Sequence, residues 1–125
     1  MRELKFRAWD EENKKLISWW DICNYYNLLS MLDPVARDYE RFEVTQYTGL
    51  KDRTGTEIYE GDILEIYDRT GEKPISKAEV YWNDGYWDAK ALKDNNFWSC
   101  YSAFAKNKVI GNIYENPELL EGENK

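Results

Sequence analysis

Residues 48–64, TGLKDRTGTEIYEGDIL, decide how this chain is read. Three glycines and six charged side chains occupy seventeen positions, and the segment then runs directly into apolar sequence. Two architectures could use such a stretch: a loop that holds a ligand, or a turn and bend that deliver one strand to the next. The residues favour the second. Asp52 suits the first position of a type I turn, because its carboxylate accepts backbone N–H groups, and Gly55 suits the fourth, where φ is often positive. Gly61 marks a second bend, after which DILEIYD reads as a strand. A phosphate loop does not fit. There is no GxGxxG or GKS/GKT, and acids crowd the glycines where N–H groups would have to meet phosphate.

Working outward, the same punctuation recurs. On the N-terminal side, ELKFRAWD alternates Leu4, Phe6 and Ala8 with Lys5, Arg7 and Trp9, the period of a half-buried strand, and EENKK turns it into LISWW as a first hairpin. The segment ICNYYNLLSMLDPVARDYE, residues 22–40, breaks that period. Tyr25, Leu28, Leu29 and Leu32 fall at helical spacing, and Asp33-Pro34 has the form of an N-cap followed by a first-turn proline, so a short helical insertion is expected there. RFEVTQYTG returns to strand character. On the C-terminal side, KAEVYW and YWDAKAL flank an NDG hairpin signal at residues 83–85, with Ala78, Val80 and Trp82 on one face and Trp87, Ala89 and Ala91 on one face. Residues 93–107 read as a polar loop and an aromatic-rich piece. KVIGNIYE is a final strand and NPELL one helical turn whose Leu119 and Leu120 return to the core.

About seven strands and one helical insertion give a mainly β fold: a single small domain of antiparallel sheets over residues 1–120, with 121–125 a frayed tail. The C-terminal half has too little sequence between strands for parallel βαβ units. At 125 residues, with six Trp and ten Tyr, the chain suits one thin, aromatic-rich core.

QYTGLKDRTGTEIYEGDIL and VIGNIYENPELL together resemble the signature of the YopX family, small proteins of phages and prophages in Gram-positive bacteria, and KFRAWD resembles that family's opening. The resemblance implies a mainly β fold with mixed sandwich and barrel features in a phage-encoded protein of the bacterial cytoplasm. It carries no activity, and no catalytic or binding residue transfers with it.

Composition narrows the chemistry. A formal net charge of −7 disfavours sequence-independent duplex binding, which relies on clustered Lys and Arg, and the only basic stretches, Lys14-Lys15 and residues 69–77, are short or interrupted. Histidine is absent, which removes Ser-His and Cys-His nucleophiles and His-based zinc sites. Two isolated cysteines, Cys23 and Cys100, read as reduced, buried, small apolar residues in a cytoplasmic protein. No apolar run approaches the ~20 residues of a membrane span.

Two constellations remain. Asp52, Glu57, Glu60 and Asp62 could form an oxygen-ligand cation site, but their spacing is not that of an EF-hand, and they read first as turn and strand residues. Tyr81, Trp82, Tyr86 and Trp87 flank the NDG hairpin. If Trp82 and Trp87 are core, Tyr81 and Tyr86 lie on the far face, where exposed rings serve self-association or ligand stacking. The expected function is therefore a phage or prophage accessory protein that binds rather than catalyses, as a homo-oligomer or through a host or phage protein, with no catalytic, cofactor or metal residue assigned. The alternatives are a single-stranded nucleic-acid binder stacking bases on the hairpin aromatics, and a carboxylate-dependent glycan hydrolase.

Overall fold

The computed structural model describes residues 3–33, 41–93, 97–99 and 104–122. In chain order the elements are β1 (Phe6–Asp10), β2 (Lys15–Ile17), α1 (Trp19–Tyr25), α2 (Leu28–Leu32), β3 (Phe42–Lys51), β4 (Glu57–Tyr59), β5 (Asp62–Tyr67), β6 (Pro74–Trp82), β7 (Trp87–Ala91), β8 (Phe97–Ser99), a 3₁₀ turn (Phe104–Lys106), β9 (Lys108–Asn112) and α3 (Glu118–Gly122). The fold is mainly β, with antiparallel sheets of order β2-β1-β3-β4 and β8-β7-β6-β5-β9 and a few short helices. Packing divides the chain into two compact units, Met1–Tyr47 and Thr48–Lys125, with β3 running from one into the other.

In the first unit, the β1–β2 hairpin is set by Asp10. Its buried carboxylate accepts the N–H groups of Glu12 (3.0 Å) and Asn13 (3.1 Å) and the Asn13 side chain (2.8 Å), and Arg41 Nε lies at 3.3 Å. The other edge of β1 pairs with residues 42–46 of β3. Ser18 then ends the hairpin: its Oγ accepts the Asp21 N–H at 3.1 Å, and the chain turns into α1. LISWW is consequently not all strand. Only its first two residues extend β2, and Trp19 and Trp20 open a helix. Asn27 caps α2 in the same way through the Ser30 N–H.

The helical insertion begins at residue 19 rather than 22, and of the four residues at helical spacing only Leu28 packs against the core. Ile22 and Met31 join Ala8, Ile17 and Phe42 in the core, with Phe6, Trp19, Tyr26 and Leu28 packed against them, whereas Tyr25, Leu29 and Leu32 are exposed. The reason is the break at Tyr26, where the backbone turns extended between two helices of only seven and five residues, so a single stripe cannot continue across both. Asp33 closes α2, donating its N–H to the Ser30 carbonyl; the helix start expected at Asp33-Pro34 falls on residues 34–40, which lie outside the described residues.

In the second unit, Ile58, Leu64, Ile66, Ala78, Val80, Trp87 and Ala89 form a core joined by Leu50 and Val109. Each large aliphatic side chain buried here contributes roughly 1.5–3 kcal/mol of hydrophobic stabilisation. The β6–β7 hairpin closes through Asp84 (φ 45°) and Gly85 (φ 123°), with the Asn83 N–H donating to the Tyr86 carbonyl at 2.8 Å and Trp82 opposite Trp87. Two three-residue strands, β4 and β8, are too short to show a period in sequence and bring the total to nine among the described residues. Residues 97–99 of the aromatic-rich piece form a strand, and among the described residues of that region Phe104–Lys106 make a 3₁₀ turn. Glu121 and Gly122 belong to α3, so the C-terminal helix reaches into the expected tail; residues 123–125 lie outside the described residues.

Candidate functional site

The opening stretch is organised around one carboxylate. The Gly55 N–H donates to the Asp52 carbonyl at 3.1 Å, so Asp52 and Gly55 occupy the first and fourth turn positions, and Gly55 has φ +89°. Asp52 Oδ1 accepts the N–H groups of Thr54 (2.8 Å) and Thr56 (3.0 Å) and the Thr54 hydroxyl (2.7 Å). Its Oδ2 accepts the Val109 N–H at 2.8 Å, from a strand 57 residues downstream. Burial pushes the Asp52 carboxyl up, but the Val109, Thr54 and Thr56 donors outweigh it and hold the group below its ordinary value. The Arg53 N–H donates to the Asn107 carbonyl (3.0 Å), and its guanidinium lies 4.7 Å from the centre of the Tyr67 ring. Gly61 (φ +88°) accepts the Ile113 N–H at 2.9 Å, and a Cβ there would sit 3.2 Å from Tyr114 Cε2. The middle and C-terminal stretches quoted above are thus folded against each other through β5 and β9.

This arrangement leaves little for a ligand. Both Asp52 oxygens are engaged by protein donors, Asp62 is buried with its Oδ2 accepting the Tyr59 N–H at 2.8 Å, and Glu57 and Glu60 are half-buried. Among the described residues no group of three or more acids and cysteines is placed to hold a metal ion.

The hairpin aromatics are placed unevenly. Trp87 is buried, but Trp82, although opposite it and in edge contact at 4.9 Å, is half exposed because it ends its strand. Tyr86 is 49% exposed, with its hydroxyl accepting from Asn83 Nδ2 at 3.1 Å. Tyr81 is only half-buried, not an open platform: it pairs across the ladder with buried Asp88, and burial, then Asp88 and Tyr86, raise its phenol. Beside it, Glu79, Tyr81, Lys90, Ala91 and Leu92 line a cleft of about 530 Å³. Burial pushes Glu79 up, Lys90 opposite it pulls it down, and Glu60 pushes it up again. A glycosidase needs two carboxyls across a cleft, and Glu79 is the one carboxylate among these lining residues.

The first unit holds a surface that the sequence pattern concealed. Trp20 is 62% exposed, Tyr25 71% and Leu29 79%, with Leu32 also exposed. Trp20 and Tyr25 meet edge to face at 5.7 Å. In sequence, the adjacent Trp19-Trp20 pair already places one ring inward and one outward; no such signal marks Tyr25 or Leu29. Cys23 lies exposed on the same helix, contrary to its expected burial, because Ile22 takes the inward position; Cys100 lies outside the described residues. No helix among the described residues is long and apolar enough to cross a membrane.

Comparison with known proteins adds three findings. The family model described as YopX protein matches residues 5–121. The crystal structure of protein EF1440 from Enterococcus faecalis superposes with a TM-score of 0.63 at 28% identity, covering 96% of this chain and 99% of that one. The crystal structure of protein yopX from Bacillus subtilis gives a TM-score of 0.61 at 24% identity over 95% of this chain and 98% of that one, a likeness of fold. A search of the curated proteins returned no match.

Proposed function

The chain belongs to the YopX family, and from that premise we propose that it is a phage- or prophage-encoded accessory protein of the bacterial cytoplasm that acts by binding a host or phage protein, or further copies of itself, rather than by catalysis. One observation carries the reading. Trp20, Tyr25, Leu29 and Leu32 all stand exposed on two short helices of one unit, where a monomer gains nothing from large apolar side chains in water. Exposed aromatics of this kind are the usual anchors of protein interfaces. The acidic balance and the absence of histidine support a binder over a duplex-binding protein or a nucleophilic enzyme.

The test is capture of partners by the tagged full chain from lysate of the phage-carrying host, with and without nuclease, alongside light scattering of the purified protein. A nuclease-resistant partner or a defined oligomer is expected, and Leu29→Asp, a change at a side chain open to water, should abolish it while leaving the melting temperature within a few degrees. Recovery of nuclease-sensitive material alone would replace this reading with the single-stranded nucleic-acid one. A partner or oligomer indifferent to Leu29→Asp would remove the helical surface from it.

A further inference from the structure

We propose that the outer edge of β2, together with the groove beside it, docks an extended peptide segment of a partner protein; the inference rests on the binding reading above and names where and how the partner attaches. The argument starts from the ladder. The Glu11 N–H donates to the Arg41 carbonyl (3.0 Å) and the Tyr47 N–H to the Lys5 carbonyl (2.9 Å), so the odd-numbered residues of β1 direct their backbone groups toward β3. Antiparallel pairing alternates, which turns the backbone groups of Ala8 and Asp10 toward β2, where they meet Ile17 and Lys15. Leu16 lies between those two residues. Its N–H and C=O therefore point away from β1, and no backbone or side-chain group among the described residues meets them.

Helix α1 does not close this edge. Its Ile22 packs with Ala8 and Ile17 on the face of the sheet, and between β2 and α1 there remains a groove of about 290 Å³ lined by Lys15, Leu16, Ile17, Asp21, Tyr25 and Tyr26. Tyr25, the most exposed aromatic among the described residues of the unit, forms part of its wall with the Trp20 ring against it. That combination selects the occupant. One outward donor and acceptor pair matches the backbone of an extended strand and offers nothing to a helix, whose own groups are already paired. The groove has room for one large apolar side chain of that strand. Lys15, exposed and without an ion pair among the described residues, favours an acidic residue across from it on the incoming strand.

The experiment selects linear peptides from a display library on the purified full chain and measures the enriched peptides by fluorescence anisotropy against the parent protein, Leu16→Pro and Tyr25→Asp. Proline at position 16 removes the outward N–H and no ladder bond; Tyr25→Asp changes a side chain that is open to water, so its folding is not in question. Enriched peptides should carry an apolar residue next to an acid in an extended stretch. They should bind each variant at least about tenfold more weakly, and they should slow hydrogen exchange of the Leu16 amide, seen residue by residue by NMR. Failure to enrich any peptide, binding to both variants as tight as to the parent, an unchanged Leu16 amide, or self-association through this same edge would overturn the proposal. The Leu29→Asp variant keeps the two readings apart, because Leu29 is not among the groove residues. Capture that depends on Leu29 but not on Leu16 or Tyr25 removes the strand site and leaves the binding module standing.

Discussion

Asp52→Asn is the sharpest test of how the second unit is held together. The substitution preserves shape and replaces one acceptor oxygen by an NH₂ group. In the parent chain, Oδ1 serves Thr54 and Thr56 while Oδ2 serves Val109. The amide oxygen of asparagine can face one set, and its NH₂ must then confront the donors of the other. At least one part-buried N–H loses its acceptor, at about 1–3 kcal/mol, and the surviving bonds lose their charge assistance. The expected destabilisation is therefore roughly 2–4 kcal/mol at pH 7, read from urea unfolding followed by tryptophan fluorescence. The pH dependence supplies an internal control. The folded carboxyl is held below its ordinary value of 3.8, so its stabilisation is present above that value and is lost as pH falls through the folded pKa. The gap between parent and variant should narrow below about pH 4, where protonation gives the parent the same donor problem. A loss under about 1 kcal/mol at pH 7, smaller than one unsatisfied buried donor, or a gap that stays constant down to pH 3, would refute the claim that this carboxylate ties the turn to β9.

Two further predictions follow from the same unit. Gly55→Val and Gly61→Val should both lower stability, by roughly 1–2 kcal/mol for Gly55, where only the positive φ resists a side chain, and by more for Gly61, where the new Cβ also meets Tyr114. Equal melting temperatures for the two variants would contradict that ranking. Glu79→Gln should stabilise the protein at pH 7, because burial raises this carboxyl above its ordinary value of 4.5 and penalises the charged form in the folded state. The gain should disappear as pH falls below 4.5, where the carboxyl is protonated in both states; a variant less stable at pH 7 would show that the Lys90 attraction outweighs burial.

The parts of the molecule that were legible in sequence are those fixed over a few residues. The turn at Asp52 and Gly55, the bend at Gly61 and the NDG hairpin follow from side chains that bond their own neighbouring backbone or tolerate positive φ. The alternation through Ala78, Val80, Ala89 and Ala91 follows from a pleat with one dry face. The acidic charge and the missing histidine narrowed the chemistry without any structure.

What the tertiary structure alone decided is which of several apolar stripes has something to pack against. Tyr25, Leu28, Leu29 and Leu32 share a helical spacing, yet of these only Leu28 packs against the core, beside buried Ile22 and Met31, because the break at Tyr26 rotates one helix relative to the next. Trp82 is half exposed because it ends its strand, and Cys23 is open because Ile22 takes the inward position on α1. Asp52 shows both sides of the boundary. Its role as a turn former is written in four consecutive residues, but its bond to Val109 joins positions 57 apart. Local sequence sets the geometry of a turn, whereas the approach of distant strands depends on burial summed over the whole core, which no short stretch encodes.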